Sequence, residues 1–171
     1  MDTIGGQRVG KRPQGVPRSS IPMHQRKAFF SGIIEGLSQY LPAELKDFRH
    51  RGGDFSLIKI WYDHYRVHYE VALDQQIGKI EIGLHFEDGP ASSLQYLALF
   101  DAQILEIKDR LGVDVELERW TQSWARIYEL RPLTTLDDNM LRTCIERLAR
   151  FIIEFQPIVA GANIQLERPG E

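Results

Sequence analysis

Two neighbouring segments of the chain alternate apolar and polar residues, and this alternation constrains the fold more than any other feature. The apolar positions of residues 66–74 and 79–87 are Val67, Tyr69, Val71, Leu73, Ile80, Ile82, Leu84 and Phe86. A period of two is typical of antiparallel strands that bury one face and expose the other. Gln75–Gly78 separates them as a four-residue loop in which Gly78 can adopt a positive φ. The pattern therefore predicts a β-hairpin.

The apolar faces of the two segments also set the register of this hairpin, because a shift of one residue would turn every apolar side chain to the wrong face. The pairs expected to lie opposite each other are Leu73 with Ile80, Val71 with Ile82, and Tyr69 with Leu84. The same register decides which polar side chains meet on the other face of the sheet.

On that polar face, the register places His68 opposite His85 and Glu70 opposite Gly83. Glu70 is then diagonal to both His85 and Glu81. Two imidazoles and one or two carboxylates on adjacent strands can ligate a divalent metal. The candidate metal ligands are therefore His68, Glu70, Glu81 and His85. The alternative is a solvated sheet face, on which alternation requires polar residues in any case.

Helical periodicity and further runs of β-forming residues predict the remaining elements. Apolar stripes indicate helices at residues 25–41, 91–111 and 135–156, and β-forming runs indicate strands at 56–62, 113–120 and 124–130. The resulting order is α-β-β-β-α-β-β-α. We expect an α+β fold in which a five-stranded, mainly antiparallel sheet carries three helices largely on one side.

Helix boundaries are marked by residues with restricted or unusual backbone preferences. Pro42 ends the first apolar stripe, and Pro90 suits the first turn of the second helix. Gly112 stands where a helix commonly ends in a residue with positive φ. Thr135 is the expected N-cap of the third helix, and Pro157 is its expected end.

The last two strands are expected to form a second hairpin across residues 121–123. Its cross-strand pairs are Leu117 with Ile127, Glu118 with Arg126, and Trp120 with Trp124. Residues 43–54, between the first helix and the first strand, are charged and contain Arg51-Gly52-Gly53-Asp54. We interpret them as a connector with a turn.

Exposed aromatic residues favour a role in binding other proteins. The candidate binding surface, expected on the face away from the helices, consists of Trp61, Trp120, Trp124 and Tyr128. Aromatic side chains interleaved with charges are typical of interfaces. The second helix also carries more apolar surface than one sheet face needs, at Tyr96, Leu99 and Leu105. A protein partner or a second copy of the chain is therefore expected, unless the tryptophans pack against the N-terminal segment or loops.

Charge is distributed unevenly along the chain. Residues 1–22 are rich in Gly and Pro and contain four basic side chains against Asp2 alone, which predicts a disordered basic tail. Residues 25–160 carry sixteen basic and twenty-one acidic side chains. We expect one α+β domain at residues 23–160, followed by a C-terminal tail at 161–171. Contact with nucleic acid, as in an accessory domain of a nucleic-acid-processing system, is expected only through the basic tail.

Several function classes find no support in the sequence. Cys144 is the only cysteine, so an internal disulfide and CxxC metal sites are excluded, and it lies within an apolar helical stripe. No GxSxG motif or glycine-rich phosphate loop is present. A metal-dependent nuclease core needs an acidic residue followed by Glu-x-Lys on the next strand. Asp74 and Glu81 approximate this pattern, but Gly83 stands where the lysine would be. No catalytic residue and no cofactor is predicted. The alternative is a hydrolase that uses the His and Glu residues on the sheet. Without a signal sequence or long apolar run, we expect a cytoplasmic protein that does not enter membranes.

The element order over residues 25–157, together with the acidic character of the domain, resembles the type III secretion chaperones and their non-secretory relatives. That resemblance implies a small domain that commonly dimerises and binds a polypeptide partner without chemistry of its own. The basic tail departs from the family pattern. The resemblance favours a chaperone-like or adaptor module that forms a homodimer.

Two further resemblances involve short motifs. Residues 94–128 resemble an uncharacterised bacterial domain that is often joined to restriction-type nucleases. The matching stretches are Ile107-Lys108-Asp109-Arg110-Leu111-Gly112, Glu118-Arg119-Trp120 and Arg126-Ile127. The segment Gly83–Glu87, which reads GLHFE, is similar to a strand in a small group of bacterial proteins of unassigned function. Neither resemblance implies catalytic residues.

Overall fold

Residues 20–168 form one antiparallel sheet of six strands and four α-helices in the computed structural model, which describes this part of the chain. The helices are α1 (Met23–Tyr40), α2 (Pro90–Asp101), α3 (Ile104–Leu111) and α4 (Asp138–Gly161). The strands are β1 (Arg49–Gly52), β2 (Leu57–Trp61), β3 (Val67–Asp74), β4 (Lys79–Phe86), β5 (Glu116–Arg119) and β6 (Ala125–Pro132). A single 3₁₀ turn, Ala43–Leu45, follows α1. Across the sheet, the strands lie in the order β1-β2-β3-β4-β6-β5.

The α+β class and the antiparallel sheet are as expected, but the prediction of five strands was wrong. The sixth strand, β1, lies in the segment interpreted as a connector, and all four of its residues are exposed. Its backbone pairs with β2, with His50 opposite Ile60. An exposed edge strand has no buried face, so it carries no apolar alternation to predict it. Charged residues on such an edge also discourage pairing with other chains.

The single helix predicted at residues 91–111 is divided into α2 and α3, which makes four helices in residues 20–168 instead of three. The break at residues 102–103 contains neither Gly nor Pro, so no local signal predicts it. Two arginines of α4 hold the end of α3: Arg147 donates to the carbonyl oxygen of Leu111 at 2.7 Å, and Arg150 to that of Arg110 at 2.6 Å. These contacts join the C-terminal end of α3 to α4.

Both ends of the last predicted helix differ in the structure. Asp137, and not Thr135, is the N-cap, and its Oδ1 accepts the N–H of Met140 at 2.8 Å while the Thr135 hydroxyl donates to its Oδ2. The helix also continues past Pro157 to Gly161. Pro157 removes one backbone donor, whose acceptor would have been the carbonyl of the exposed Ile153, where water can replace it.

The hydrophobic core lies between the helices and one side of the sheet, here called the core face. Phe86 of β4 stacks on Tyr96 of α2, with ring centroids 4.5 Å apart. The Tyr69 hydroxyl of β3 donates to Gln156 of α4 at 3.0 Å. Tyr96 is therefore a core residue and not surplus surface, whereas Leu105 is exposed. Helix α1 packs on α4, where Gly32 leaves room for the side chain of Leu141.

Both predicted hairpin registers are confirmed. In the first, Leu73 lies opposite Ile80, Val71 opposite Ile82 and Tyr69 opposite Leu84; in the second, Leu117 lies opposite Ile127 and Glu118 opposite Arg126. Gly78 and Gly112 adopt positive φ values of 64° and 112°. In this register, the other side of the sheet, here called the polar face, carries the histidines and the carboxylates.

The ends of the chain were assigned to tails. The predicted basic tail lies outside the described residues up to position 19. In the C-terminal segment, Leu166 is buried against the core, and Asp88 accepts the backbone N–H groups of Glu167 and Arg168. Among the helices of residues 20–168, none has an apolar stretch of the length that a membrane crossing takes.

Candidate functional site

A row of aromatic rings crosses the polar face and organises the candidate site. The ring row consists of Tyr65, His68, His85, Trp120 and Trp124, with successive ring centroids 5.8, 5.6, 5.7 and 5.8 Å apart. Its second and third members are the histidines that the hairpin register places opposite each other. Both are almost fully buried although they lie on the polar face, because the neighbouring rings cover them.

His68 has its two ring nitrogens in very different surroundings. Nδ1 lies 2.8 Å from the carbonyl oxygen of Tyr65, which can only accept, so Nδ1 carries the hydrogen. Nε2 is buried, and among the described residues no group forms a hydrogen bond with it. The nearest carboxylate oxygens are Oε2 of Glu70 at 3.4 Å and Oε1 of Glu87 at 3.9 Å. Nε2 therefore lies beside two carboxylates without forming a hydrogen bond to either of them.

His85 contacts a carboxylate with each ring nitrogen. Nε2 lies 2.7 Å from Oε1 of Glu81, and Nδ1 lies 3.4 Å from Oε1 of Glu87. Burial alone would lower the pKa of His85, but the hydrogen bonds to Glu81 and Glu87 and the negative charge of Glu70 outweigh it and raise the pKa to about 9. Without another cation at this place, His85 is an imidazolium at neutral pH.

Lys59 of β2 balances part of the negative charge. Its Nζ lies 3.0 Å from Oε2 of Glu87 and 3.8 Å from Oε2 of Glu70. Burial would raise the pKa of Glu87, but His85, His68 and Lys59 together lower it to about 2. The pKa of Glu70 is lowered as well, because the two histidines and Lys59 outweigh the effect of burial. Both carboxylates are ionised at neutral pH.

Four of these side chains form a compact donor set, here called the His–Glu cluster: His68, Glu70, His85 and Glu87. One potential ligand atom from each lies within 4.8 Å of all the others, and three of the separations are 3.4, 3.4 and 3.9 Å. Tetrahedral zinc with bonds of about 2.0–2.1 Å to nitrogen and oxygen separates its ligands by roughly 3.4 Å. The cluster therefore fits a small divalent cation with little rearrangement.

A second layer of charged groups surrounds the cluster on the side of β6. Oε2 of Glu81 accepts from Nη1 of Arg126 at 2.7 Å, and Oε1 of Glu118 accepts from Nε of Arg126 at 2.8 Å. The Arg126 guanidinium also lies 4.8 Å from the ring centroid of Trp120 and 4.0 Å from that of Tyr128. This layer fixes the position of Glu81 and, through it, of His85.

Three of the four candidate metal ligands, His68, Glu70 and His85, come together in the His–Glu cluster. Glu81 lies outside it, on the far nitrogen of His85. The fourth member, Glu87, was not among the candidates. It directly follows the last residue of β4, yet its N–H still donates to the Arg66 carbonyl at 2.8 Å. The period of two that links Glu81 and His85 points to the same face for Glu87, and this signal was available in the sequence.

The four residues of the expected binding surface do not form one continuous apolar patch. Trp120 and Trp124 are adjacent and exposed at 39% and 36%. Tyr128 is half-buried beneath Arg126. Trp61 is half-buried against Tyr65 at the opposite end of the ring row, with centroids 5.0 Å apart. The histidines and their carboxylates occupy the space between the two ends.

An open cavity of about 590 Å³ adjoins the His–Glu cluster on the polar face. Glu70 and His85 line it, together with Glu81, Trp120 and Arg126. Its remaining walls come mostly from the end of β3, the loop to β4, and Leu130. Two of the four potential metal ligands are therefore shared between the cluster and a space that a small molecule can enter.

No protein-family model matches this chain, and no curated protein matches it. The resemblances to secretion chaperones and to a nuclease-associated domain therefore stay predictions. What the site does has to be inferred from its own atoms.

Proposed function

We propose that this protein binds a divalent transition-metal ion through the His–Glu cluster, with Nε2 of His68, Nδ1 of His85 and carboxylate oxygens of Glu70 and Glu87 as ligands. The observation that carries the proposal is Nε2 of His68, a fully buried nitrogen without a hydrogen-bond partner among the described residues. A buried polar atom left unpaired costs about 1–3 kcal/mol. A metal ion at this point would remove that cost.

The outer contacts of both histidines support the same proposal. Metal-binding histidines commonly donate their second ring N–H to a backbone carbonyl or a carboxylate, which fixes the tautomer and the ring orientation. His68 has such a contact with Tyr65, and His85 has one with Glu81. In each ring the nitrogen that remains is the one directed at the carboxylates of the cluster.

Charge and donor type favour Zn²⁺ and its neighbours among the first-row metals. Two imidazoles with two carboxylates suit Zn²⁺, Fe²⁺, Mn²⁺ and Co²⁺, whereas soft thiolates are missing from the cluster. The two charges of the ion would offset Glu70 and Glu87. Lys59 would then remain bonded to the outer oxygen of Glu87. Binding would also release the proton that His85 holds at neutral pH.

The competing explanation is a polar network that needs no ion. In that network, Lys59 and the His85 imidazolium neutralise the carboxylates, which accounts for every contact in the cluster except that of Nε2 of His68. The two explanations make different predictions for His68. In a network without metal, His68 contributes packing and its hydrogen bond to the Tyr65 carbonyl, whereas in a metal site its removal abolishes metal binding.

The test is calorimetric titration of the chelator-treated full chain with Zn²⁺ and Co²⁺, together with thermal unfolding at matched metal concentrations. We expect one ion per chain and a higher melting temperature, since an ion at 100 times its dissociation constant adds about 2.7 kcal/mol. His68→Ala and His68→Gln should both lose binding. His64→Ala, which removes an exposed histidine outside the cluster, is the matched control.

Unchanged zinc affinity in both His68 variants would overturn the proposal, as would the absence of any metal binding by the folded wild-type chain. His68→Gln retains a polar side chain of similar reach, so a fold defect of the alanine variant does not confuse the result. Circular dichroism of each variant establishes that the sheet is intact.

The exposed pair Trp120 and Trp124 favours a second candidate function, recognition of another protein, with a second copy of this chain as the partner to test first. Adjacent exposed tryptophans are enriched where interfaces are centred. Light scattering of the full chain over a wide concentration range tests this. A dimer that Trp124→Ser dissociates, while the exposed Ile77→Ser does not, would support it. A monomeric mass at the highest concentration would remove it.

A further inference from the structure

The geometry points to a second binding site beside the first: the cavity next to the His–Glu cluster takes a small carboxylate with an apolar body, whose oxygen occupies an exchangeable coordination position on the metal. The inference rests on the proposed metal site. It adds a ligand class and an order of binding, because the carboxylate is expected to bind only after the ion.

The cavity gives a small molecule access to the ion. Glu70 and His85 belong to the cluster and also line the cavity, so an ion held by them lies at the cavity wall. His68 is not among the lining residues, so the cavity approaches the ion from one side. The four protein ligands would complete a tetrahedral zinc ion, so the carboxylate would enter from the cavity as a fifth ligand, an expansion that zinc sites can undergo.

Arg126 is the basic residue of the cavity that attracts the polar end of the ligand. Arg126 lines the cavity and has five N–H groups, of which three are used by Glu81 and Glu118. The two remaining N–H groups add positive charge to the same cavity. The other acidic groups in the lining are already engaged: Glu81 by His85 and Arg126, and Asp74 by the N–H groups of the loop after β3.

Apolar residues of the cavity can contact the rest of the ligand. The cavity walls away from the cluster contain the side chains of Ala72, Ile77 and Leu130, and Trp120 adds an aromatic side. Small-molecule sites typically have a volume of about 300–1,000 Å³ and combine such apolar lining with a few polar groups. A cavity of about 590 Å³ is large enough for an aliphatic or aromatic acid.

The order of binding follows from charge. Without the ion, the carboxylates of Glu70 and Glu81 in the cavity lining, and that of Glu87 in the adjoining cluster, oppose a further anion. With the ion in place and the His85 proton released, the cluster carries one more positive charge, in addition to those of Lys59 and Arg126. An anion should therefore bind to the metal-loaded protein and not to the metal-free protein.

The test uses Co²⁺, whose visible absorption spectrum reports the number and geometry of its ligands, with acetate and benzoate as probes. We expect saturable spectral changes on adding benzoate to the Co²⁺-loaded full chain, weaker binding of acetate, and no calorimetric binding of benzoate to the metal-free chain. Ala72→Phe fills the cavity and should weaken benzoate binding at least tenfold while Co²⁺ still binds. Ala98→Phe, at an exposed position of α2, is the matched control.

A Co²⁺ spectrum that neither acid changes would overturn the inference and indicate a closed site. Equal binding of benzoate to metal-free and metal-loaded protein would overturn it as well, because the ion would then not be the ligand's partner. Failure of the metal site itself has a different signature: the wild-type chain would not take up Co²⁺ at all, before any acid is added.

Discussion

The carboxylate of Glu81 and Nε2 of His85 are 2.7 Å apart, on the opposite side of the imidazole ring from Glu87. This contact makes Glu81 a positioning residue for the proposed metal site and not one of its ligands. It holds His85 with Nδ1 directed into the His–Glu cluster. Arg126 in turn holds Glu81, with Nη1 at 2.7 Å from its second oxygen.

Glu81→Gln should lower zinc affinity without abolishing binding. The amide weakens the hydrogen bond that orients His85 and no longer stabilises its ring electrostatically, and loss of such an outer contact typically costs 10–100-fold in affinity. Competition titration against a chromophoric chelator measures the change. Glu118→Gln is the control, because Glu118 contacts Arg126 but neither histidine; an equal loss in both variants would show that the effect is general electrostatics.

The metal-free protein should lose stability as the pH rises through 9. The pKa of His85 is about 9 in the folded chain and about 6.5 when unfolded, so its contribution is complete below pH 6.5 and is lost as the folded group deprotonates. The full effect is about 3 kcal/mol. Urea unfolding between pH 6 and pH 9.5, with chelator present, measures it.

His85→Gln is the comparison for this pH dependence, since buried Cys144, whose pKa is raised to about 12, also favours unfolding at high pH by ionising in the unfolded chain. The difference between wild type and variant isolates His85. Parallel curves for the two proteins across this range would contradict the assignment of the high pKa to His85.

Gly83→Ala should destabilise the sheet at the centre of the polar face. A Cβ atom at this position would lie 2.7 Å from the Cβ of Tyr128 and 2.9 Å from the carbonyl oxygen of Ile127, both on β6. Overpacking of this kind costs about 1–3 kcal/mol in the free energy of unfolding. Gly161→Ala is the control, because nothing lies within 4 Å of its Cβ position. Urea denaturation of both variants measures the difference, and equal stability would contradict the expected clash.

Arg147→Met should cost about 3 kcal/mol in the free energy of unfolding, because it leaves a buried carboxylate short of its main partner. Nε and Nη2 of Arg147 bond the two oxygens of Glu129 at 2.8 and 2.6 Å, and Glu129 is only 2% exposed. Arg131 remains at 2.8 Å and limits the loss. Arg110→Met, which breaks an exposed ion pair with Glu154, should cost less than about 1 kcal/mol. Similar losses in both variants would contradict this difference.

The hairpin of β3 and β4 was predictable because burial of one face imposes a period of two on the sequence. That period leads directly from Tyr69 and Leu84 in the core to His68 and His85 on the other side. Strand β1 was not predictable in this way, since neither of its faces is buried. The break between α2 and α3 likewise has no sequence signal, because Ala102 and Gln103 are neither Gly nor Pro.

The candidate site was predictable in its pairs but not in its burial or its full membership. Register alone brings His68 and Glu70 beside His85, but it does not show that Tyr65 and Trp120 cover the two imidazoles. Nor does it show which ring nitrogen faces the carboxylates, because the Tyr65 carbonyl decides this for His68. Glu87 lies two residues after His85, as Glu81 lies four before it, so the period of two already pointed to this carboxylate.

All three tryptophans of the chain adjoin the ring row: Trp120 and Trp124 form one end, and Trp61 contacts Tyr65 at the other. The intrinsic fluorescence of this protein therefore originates almost entirely beside the two imidazoles. A quenching ion such as Cu²⁺ or Co²⁺ at the His–Glu cluster would lower the intensity of the tryptophan fluorescence. The intrinsic tryptophan fluorescence can therefore be used to follow metal binding at the site without an attached dye.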